Sequence, residues 1–348
     1  MAVKNLPYAS CECWFLDVGQ GTSNVILLGG GRAIVVDCGP HGSQQTIELL
    51  CRHVDTIEAL IVSHNDADHD FNVPQVLHQY RKATKNIFFL QDRSPVDLPR
   101  TLAVLRSAKD GDFPTPTRLE VDAGAPRVLF SEHGIELSLL YPDLMANLSA
   151  QAAGGPNQTS GVLRLRCNGR RIVFSGDATI EAWEYLAAHM PEDKPLLCDI
   201  ITVPHHGGKI STNPGGEEAL QGRLYKDLIK PEFAVISVGT NNQHGHPKAE
   251  TVNALVKAGA TVLCTEMTER CCDDLEATRS MRGPLASPSR STRETSKTQS
   301  GRSKDVACFG SVVAEISTTH LQISGLSRYQ RDMRNCTATS GFAPVCRR

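Results

Sequence analysis

Long apolar runs are missing from this chain. A membrane helix needs about 20 consecutive apolar residues, and the longest candidate, Val25 to Val36, is broken by three glycines and by Arg32. The first residues also lack the charged start and apolar run of a secretory signal. A cytoplasmic protein with no membrane partner is therefore expected. An excess of charge is missing as well. Thirty-six basic and 38 acidic residues leave a formal net charge of -2 over 348 residues, so no overall field argues for a polyanionic partner. No Ser–His–Asp nucleophile set and no glycine-rich phosphate loop is present; Gly29-Gly30-Gly31 falls in a hairpin turn. Cysteine is plentiful, at 12 residues, but without a signal these read as thiols rather than disulfides. Cys38, Cys198 and Cys264 sit in apolar strand-like runs, where cysteine is a small buried hydrophobe. Cys264, Cys271, Cys272, Cys308, Cys336 and Cys346 cluster late in the chain without a Cys-x-x-Cys pair. Reduced thiols account for them better than a structural zinc.

What is present divides into a body and a tail. Residues 1–267 hold 23 basic and 30 acidic side chains, whereas residues 268–348 hold 13 and 8. The body is read as one domain over 1–267. It opens with strand-like runs at Cys13–Val18, Asn24–Leu28 and Ala33–Asp37, separated by glycine-bearing turns. Ser43–His53 has helical spacing, and Ala59–Val62 is a further buried strand. Val162–Arg166 and Arg171–Ser175 flank Asn168-Gly169, a hairpin signal. Helix then alternates with strand as far as Thr261–Cys264. Hairpins followed by α/β alternation predict two mixed sheets with helices outside. Beyond residue 267 the composition shifts. Arg279 to Lys304 carries seven basic residues against one acidic in a Ser/Thr-rich context, the mark of a solvated linker. Val306–Ile316 and His320–Ile323 then read as a strand pair able to return to the main sheet.

The sharpest chemistry lies in Ser63-His64-Asn65-Asp66-Ala67-Asp68-His69, directly after the buried strand Ala59–Val62. Four potential ligands within six residues converge only if the loop folds into a cage. Imidazole nitrogens mixed with carboxylate oxygens suit Zn²⁺ or Mn²⁺. Other candidates also follow strands: Asp177 in Ser175-Gly176-Asp177, His205 and His206 after Ile200–Val203, and His246 after Ala234–Val238. Reactive groups at successive strand ends are what a site on one edge of a sheet requires. Isolated histidines such as His53, His78 and His189 read instead as surface or packing residues.

Ser-His-x-Asp-x-Asp-His resembles the metallo-β-lactamase signature His-x-His-x-Asp-His, with Asp66 in place of the second histidine. With Phe15-Leu16-Asp17-Val18-Gly19-Gln20-Gly21, Val36-Asp37-Cys38-Gly39, Asn157-Gln158-Thr159-Ser160 and Pro204-His205-His206-Gly207, the chain resembles the hydrolase domain of the ComEC competence proteins. The resemblance implies a mixed α/β fold, the four-layer αββα sandwich, with two divalent ions and phosphodiester hydrolysis. By position, His64 and Asp66 would hold one ion, Asp68 and His69 the other, and Asp177 would bridge them. One of His205 and His206 would complete the second ion's shell. Asp37 would orient a ligand from behind, and Asp17 would do likewise or shape its glycine turn. Asn157 stands where β-lactamase-type relatives present another histidine, so it would be a weak ligand. Asp68 and His246 would carry catalysis, His246 by contacting the phosphate or protonating the leaving oxygen.

A metal-dependent phosphodiesterase is the leading expectation, acting on nucleic acid or a nucleotide through water activated by two ions. Such an enzyme could be the effector of a larger system such as phage defence. The alternatives are a cyclic-nucleotide or other small phosphoester hydrolase, and a binding or sensor module with a vestigial metal site. Retention of the core ligands favours the enzyme. β-Lactam hydrolysis is disfavoured by Asp66 and Asn157.

Overall fold

Apolar residues along the first strands alternate between two clusters, and that alternation builds the architecture. In the computed structural model, which describes residues 6, 9–89, 98–122, 125–153, 156–189, 196–211, 216–240, 242–268 and 308–331, strand β1 (Cys11–Phe15) starts the pattern. It continues through β2 (Ser23–Gly29), β3 (Arg32–Cys38) and β4 (Thr56–Ile61). Phe15, Ile26, Ile34 and Ile61 face one cluster, while Trp14, Val25, Val35 and Leu60 face the other.

Two further short strands, β5 (Ile87–Phe89) and β6 (Thr117–Arg118), extend the first sheet on one side. The second sheet begins with the meander β7 (Arg127–Glu132), β8 (Ile135–Tyr141), β9 (Val162–Cys167) and β10 (Arg170–Phe174). Its remaining strands, β11 (Ile200–Thr202), β12 (Phe233–Ile236) and β13 (Thr261–Cys264), run parallel to one another and to β10. Near the end of the chain, β14 (Val312–Ile316) pairs antiparallel with β1, and β15 (Leu321–Ile323) pairs with β14. The strand order is thus β15-β14-β1-β2-β3-β4-β5-β6 in one sheet and β13-β12-β11-β10-β9-β8-β7 in the other. The late strand pair belongs to the sandwich, so the division at residue 267 does not separate two sheets. The basic run Arg279–Lys304 and Cys271, Cys272, Cys336 and Cys346 lie outside the described residues.

The sheets meet face to face, with the Phe15 and Phe174 rings 6.0 Å apart across the interface. Helices cover the outer faces. On the first sheet, α1 (Gln45–His53) contributes Leu49 and Leu50, and α3 (Val73–Gln79) contributes Val73, Val76 and Leu77, to the cluster around Val35 and Leu60. On the second, α6 (Ile180–His189) buries Trp183 and Leu186, and α8 (Ala249–Lys257) buries Val252 and Leu255. Four layers result: helix, sheet, sheet, helix. Between α1 and α3 lies the single turn α2 (Ala67–Asp70); α4 (Leu98–Arg106), α5 (Leu144–Ala153) and α7 (Glu217–Arg223) complete the helices among the described residues. Helix α7 changes pitch at its end, where Leu224–Ile229 widens into a π-helical turn.

One consequence matters for chemistry. Strands β3 and β4 run parallel in the first sheet, as do β10, β11 and β12 in the second. Their C-terminal ends open on the same edge of the sandwich, where a crevice gathers side chains from both sheets.

Candidate metal centre

The crevice is assembled from loops that leave those parallel strands. Asp37, 1% exposed, is the penultimate residue of β3, with φ of 60°. Its Oδ1 accepts from the Ser63 backbone N–H at 2.7 Å, and its Oδ2 from the Ser63 hydroxyl at 2.8 Å. Those bonds fix the point at which the ligand loop leaves β4. Asp37 Oδ2 also lies 2.9 Å from His69 Nδ1. A carboxylate behind an imidazole keeps the proton on Nδ1 and leaves Nε2 free as a donor.

The same device recurs at each histidine. His64 Nδ1 lies 3.1 Å from the Ser63 hydroxyl and 3.3 Å from the Ser160 hydroxyl. The Ser63 proton is committed to Asp37, so its oxygen accepts from Nδ1–H. His206 Nδ1–H donates to the Ser237 carbonyl at 2.9 Å, just past β12. His205 Nδ1–H donates to the Lys209 carbonyl at 2.8 Å. Four imidazoles are thus held from behind, and their Nε2 atoms converge on Asp177.

Asp177 follows β10 through Gly176. A Cβ at Gly176, whose φ is 48°, would collide with the Ser160 and Ser63 hydroxyls. Only glycine lets this turn press against the ligand loop. The Asp177 N–H donates to Ser160 Oγ at 2.8 Å, so the carboxylate points inward. Its Oδ1 is 3.1 Å from His69 Nε2 and 3.6 Å from His206 Nε2. Its Oδ2 is 3.8 Å from His64 Nε2 and 3.9 Å from His205 Nε2. Asp68 Oδ2 is 3.2 Å from His206 Nε2, and Asp66 Oδ2 is 3.6 Å from His64 Nε2.

Two overlapping donor groups result: His64, His69 and Asp177, and Asp68, His69 and His206, each with its ligand atoms within 4.8 Å of one another. The chemistry of this set fits divalent cations. His69 Nε2 and His206 Nε2 face each other at 3.3 Å, an approach that two lone pairs tolerate only with a proton or cation close by. His64 Nε2 is buried and makes no hydrogen bond, and a buried ring nitrogen without a donor or acceptor partner suits a cation ligand.

Electrostatics agree with that fit. Burial alone would raise the Asp177 pKa, but His206, His69 and His64 hold it well below the usual carboxylate range. Asp68 is likewise lowered against burial, by its bond to His206 and the charge of His69. Burial opposes charge on His69, yet Asp177 and Asp37 raise its pKa well above 6.5. His206 is raised by Asp177 and Asp68 against the same penalty. A divalent ion bound by these donors would displace protons from the imidazole Nε2 atoms.

The metallo-beta-lactamase superfamily profile matches residues 17–213, more than half of the chain. The chain belongs to this superfamily. It is 26% identical over 218 residues to ComE operon protein 3 of Bacillus subtilis (strain 168), covering 63% of this chain and 24% of that protein. It is 23% identical over 263 residues to Competence protein ComA of Neisseria gonorrhoeae, covering 75% of this chain and 31% of that one. The chain therefore spans about a quarter to a third of the length of these curated relatives. Among solved structures, the metallo-beta-lactamase fold protein YhfI of Bacillus subtilis superposes with a TM-score of 0.46 at 12% identity, over 73% of this chain and 96% of that one. Membership agrees with a divalent-metal site at the donor groups described above. No helix among the described residues is long and apolar enough to cross a membrane.

Other expected residues fall at varying depth around the superfamily site. Asn157 lies in a short 3-10 turn, Pro156–Thr159, and its backbone carbonyl accepts from the Ser160 N–H at 3.2 Å. It is Ser160, three residues on, that reaches His64 and Asp177. Asp17 is buried, with its N–H donating to Ser311 Oγ at 3.0 Å; it is in neither donor group. His246 is 6% exposed, its Nδ1 is buried without a hydrogen bond, and its ring lies 5.2 Å from that of His205. Burial, then the neighbouring His205 and His206, push its pKa down to about 3. His246 is consequently neutral near pH 7.

Ser63, Ser160, Ser237 and the Lys209 carbonyl are site residues that ligand spacing does not find. Hydroxyls and main-chain carbonyls carry no metal signature of their own; their proximity to Asp37 and the histidines emerges only in the fold. The adjacent Ser63-His64 and Ser160 within Asn157-Gln158-Thr159-Ser160 were the available hints.

Proposed function

We propose that the chain is a two-ion phosphodiesterase that cleaves phosphodiester bonds of nucleic acid, with zinc or manganese as its metal. The observation that carries this reading is the division of Asp177. One oxygen faces His69 and His206, and the other faces His64 and His205. A carboxylate flanked by two donor sets is suited to bridging two cations. Two divalent ions, when bound, lower the pKa of coordinated water and offset charge on phosphoryl oxygens.

The chain's own residues set up that chemistry. Asp37 and Ser63 fix the ligand loop, and the carbonyls of Ser237 and Lys209 fix two imidazoles, so little reorganisation is needed. In the central role, Asp68 stands next to His206 and is 32% exposed, on the open side where water and substrate enter. His246 serves as a neutral hydrogen-bonding group to a phosphoryl oxygen. Its depressed pKa argues against an imidazolium acid in the resting protein.

Nucleic acid as substrate draws on the relatives named for competence. The acidic body, 23 basic against 30 acidic residues over 1–267, favours a second reading, hydrolysis of a small or cyclic nucleotide. A broad polyanion groove needs basic residues. Both readings are tested by incubating purified protein with Mn²⁺ or Zn²⁺ and single-stranded DNA, duplex DNA, RNA or cyclic nucleotides. Metal-dependent cleavage of a polynucleotide supports the first, cleavage of cyclic nucleotides alone supports the second, and no phosphodiester cleavage rejects both.

A further inference from the structure

The histidine absent from the position of Asn157 leaves the half-site of His64 and Asp66 short of an imidazole. We infer that His205 supplies it, so that the successive histidines of Pro204-His205-His206-Gly207 serve different ions. This assignment rests on the two-ion reading above and adds to it a ligand carried by a turn in place of one carried by the Asn157 segment.

Successive residues of an ordinary strand point to opposite faces, and those of a helix are turned about 100° apart. Neither arrangement brings both rings onto one carboxylate. The backbone here does something unusual. His205 and His206 both adopt left-handed conformations, with φ/ψ of 54°/40° and 53°/28°, and Gly207 follows at φ of 78°. The left-handed region is unfavourable for a non-glycine residue, and two such residues in succession are sustained only where the surroundings demand it. The surroundings are visible. The His205 N–H donates to the Gly176 carbonyl at 3.2 Å, joining this turn to the one that presents Asp177. The Gly208 N–H closes back on the His205 carbonyl at 2.6 Å.

That turn aims the two rings at different oxygens. His206 Nε2 stands 3.6 Å from Asp177 Oδ1 and 3.2 Å from Asp68 Oδ2. His205 Nε2 stands 3.9 Å from Asp177 Oδ2, the oxygen that lies 3.8 Å from His64 Nε2. Two donors each about 2.0–2.2 Å from one ion lie at most about 4.3 Å apart, so both separations admit a shared cation. His205 lies outside the tight group of His64, His69 and Asp177. Its Nδ1–H is committed to the Lys209 carbonyl, the arrangement that leaves Nε2 as the donor. The His205 side chain is 31% exposed.

The test is metal stoichiometry. Metal-free wild type, His205→Ala, His205→Asn and Asn157→Ala are titrated with Mn²⁺ and with Zn²⁺ by calorimetry. Bound metal is counted after gel filtration, and circular dichroism checks the fold. Asparagine tolerates left-handed φ, so His205→Asn preserves the turn if alanine does not. Wild type and Asn157→Ala are expected to bind two equivalents. Both His205 variants are expected to keep one tight equivalent, with the other weakened at least about tenfold. Two equivalents at wild-type affinity in the His205 variants would overturn the assignment, as would loss of both equivalents from folded protein. A wild type that binds fewer than two ions would overturn the two-ion reading and this assignment together.

Discussion

At the scale of the residue, the site depends on how each imidazole is held. Asp37 is the most heavily used anchor, accepting from Ser63 twice and from His69. Asp37→Asn retains the shape but offers one fewer acceptor oxygen. Metal affinity should fall about 10–100-fold, measured by competition with a chromophoric chelator, while the far-ultraviolet spectrum stays unchanged. Asp177→Ala should be more severe, because one side chain faces both donor sets. Loss of hydrolysis with reduced uptake of both ions is expected, and elemental analysis of the folded variant checks it. Asn157→Ala leaves metal binding intact if His205 is the ligand.

The histidines also predict a pH dependence. His69 and His206 have pKa values raised above 6.5 by Asp177, Asp37 and Asp68. A group with a raised folded pKa stabilises fully below its unfolded value and loses that contribution as pH rises through the folded one. The metal-free protein should therefore lose stability as pH climbs above 6.5, seen as a falling Tm. The metal-bound protein should move in the opposite sense, because metal displaces those protons. Calorimetric titration in buffers of different ionisation enthalpy should show proton release on binding. No proton release would contradict the tautomer and charge assignments.

At the scale of the element, what was legible in the sequence depended on apolar runs and the turns between them. Apolar, β-branched-rich runs bounded by glycine-bearing turns, together with the Asn168-Gly169 turn, located strands such as Cys11–Phe15 and Arg32–Cys38 to within a few residues, because both faces of these strands pack into apolar clusters. Helices α2 and α3 escaped, the first being four residues and the second seven, too short to establish a helical period. Helix α5 escaped for another reason: Leu144, Met145 and Leu148 are exposed apolar residues, so its pattern does not report a buried face. For the site, side-chain chemistry and strand ends revealed the candidate ligands. The spacing could not apportion His205 and His206, because their directions depend on two left-handed backbone conformations. The turn carrying them is correspondingly sensitive. A Cβ at Gly208 would lie 2.7 Å from the His205 carbonyl and 2.7 Å from His246 Nε2. Gly208→Ala should weaken metal uptake more than it lowers Tm, as chelator competition and thermal melts can compare.

At the scale of the whole molecule, two sheets contribute unequal halves to one edge. The first sheet presents Asp37 and the loop 63–69, and the second presents Asp177, His205 and His206. The metal centre therefore spans the sandwich, and metal binding should stabilise the packing of one sheet on the other. The basic run Arg279–Lys304 contributes none of the candidate ligands. Replacing it with a short Gly/Ser linker should leave metal content and small-diester cleavage unchanged. If that run grips a polynucleotide, binding of long substrates should weaken and its salt dependence flatten.

The central claim is that two ions act together on a phosphodiester. Metal-free protein titrated with Mn²⁺ while cleavage of single-stranded DNA and of bis-p-nitrophenyl phosphate is followed tests it most directly. The account predicts little hydrolysis at one equivalent and a rise to full rate on filling the second. Full activity at one equivalent, or no hydrolysis of either substrate with both ions bound, would contradict it.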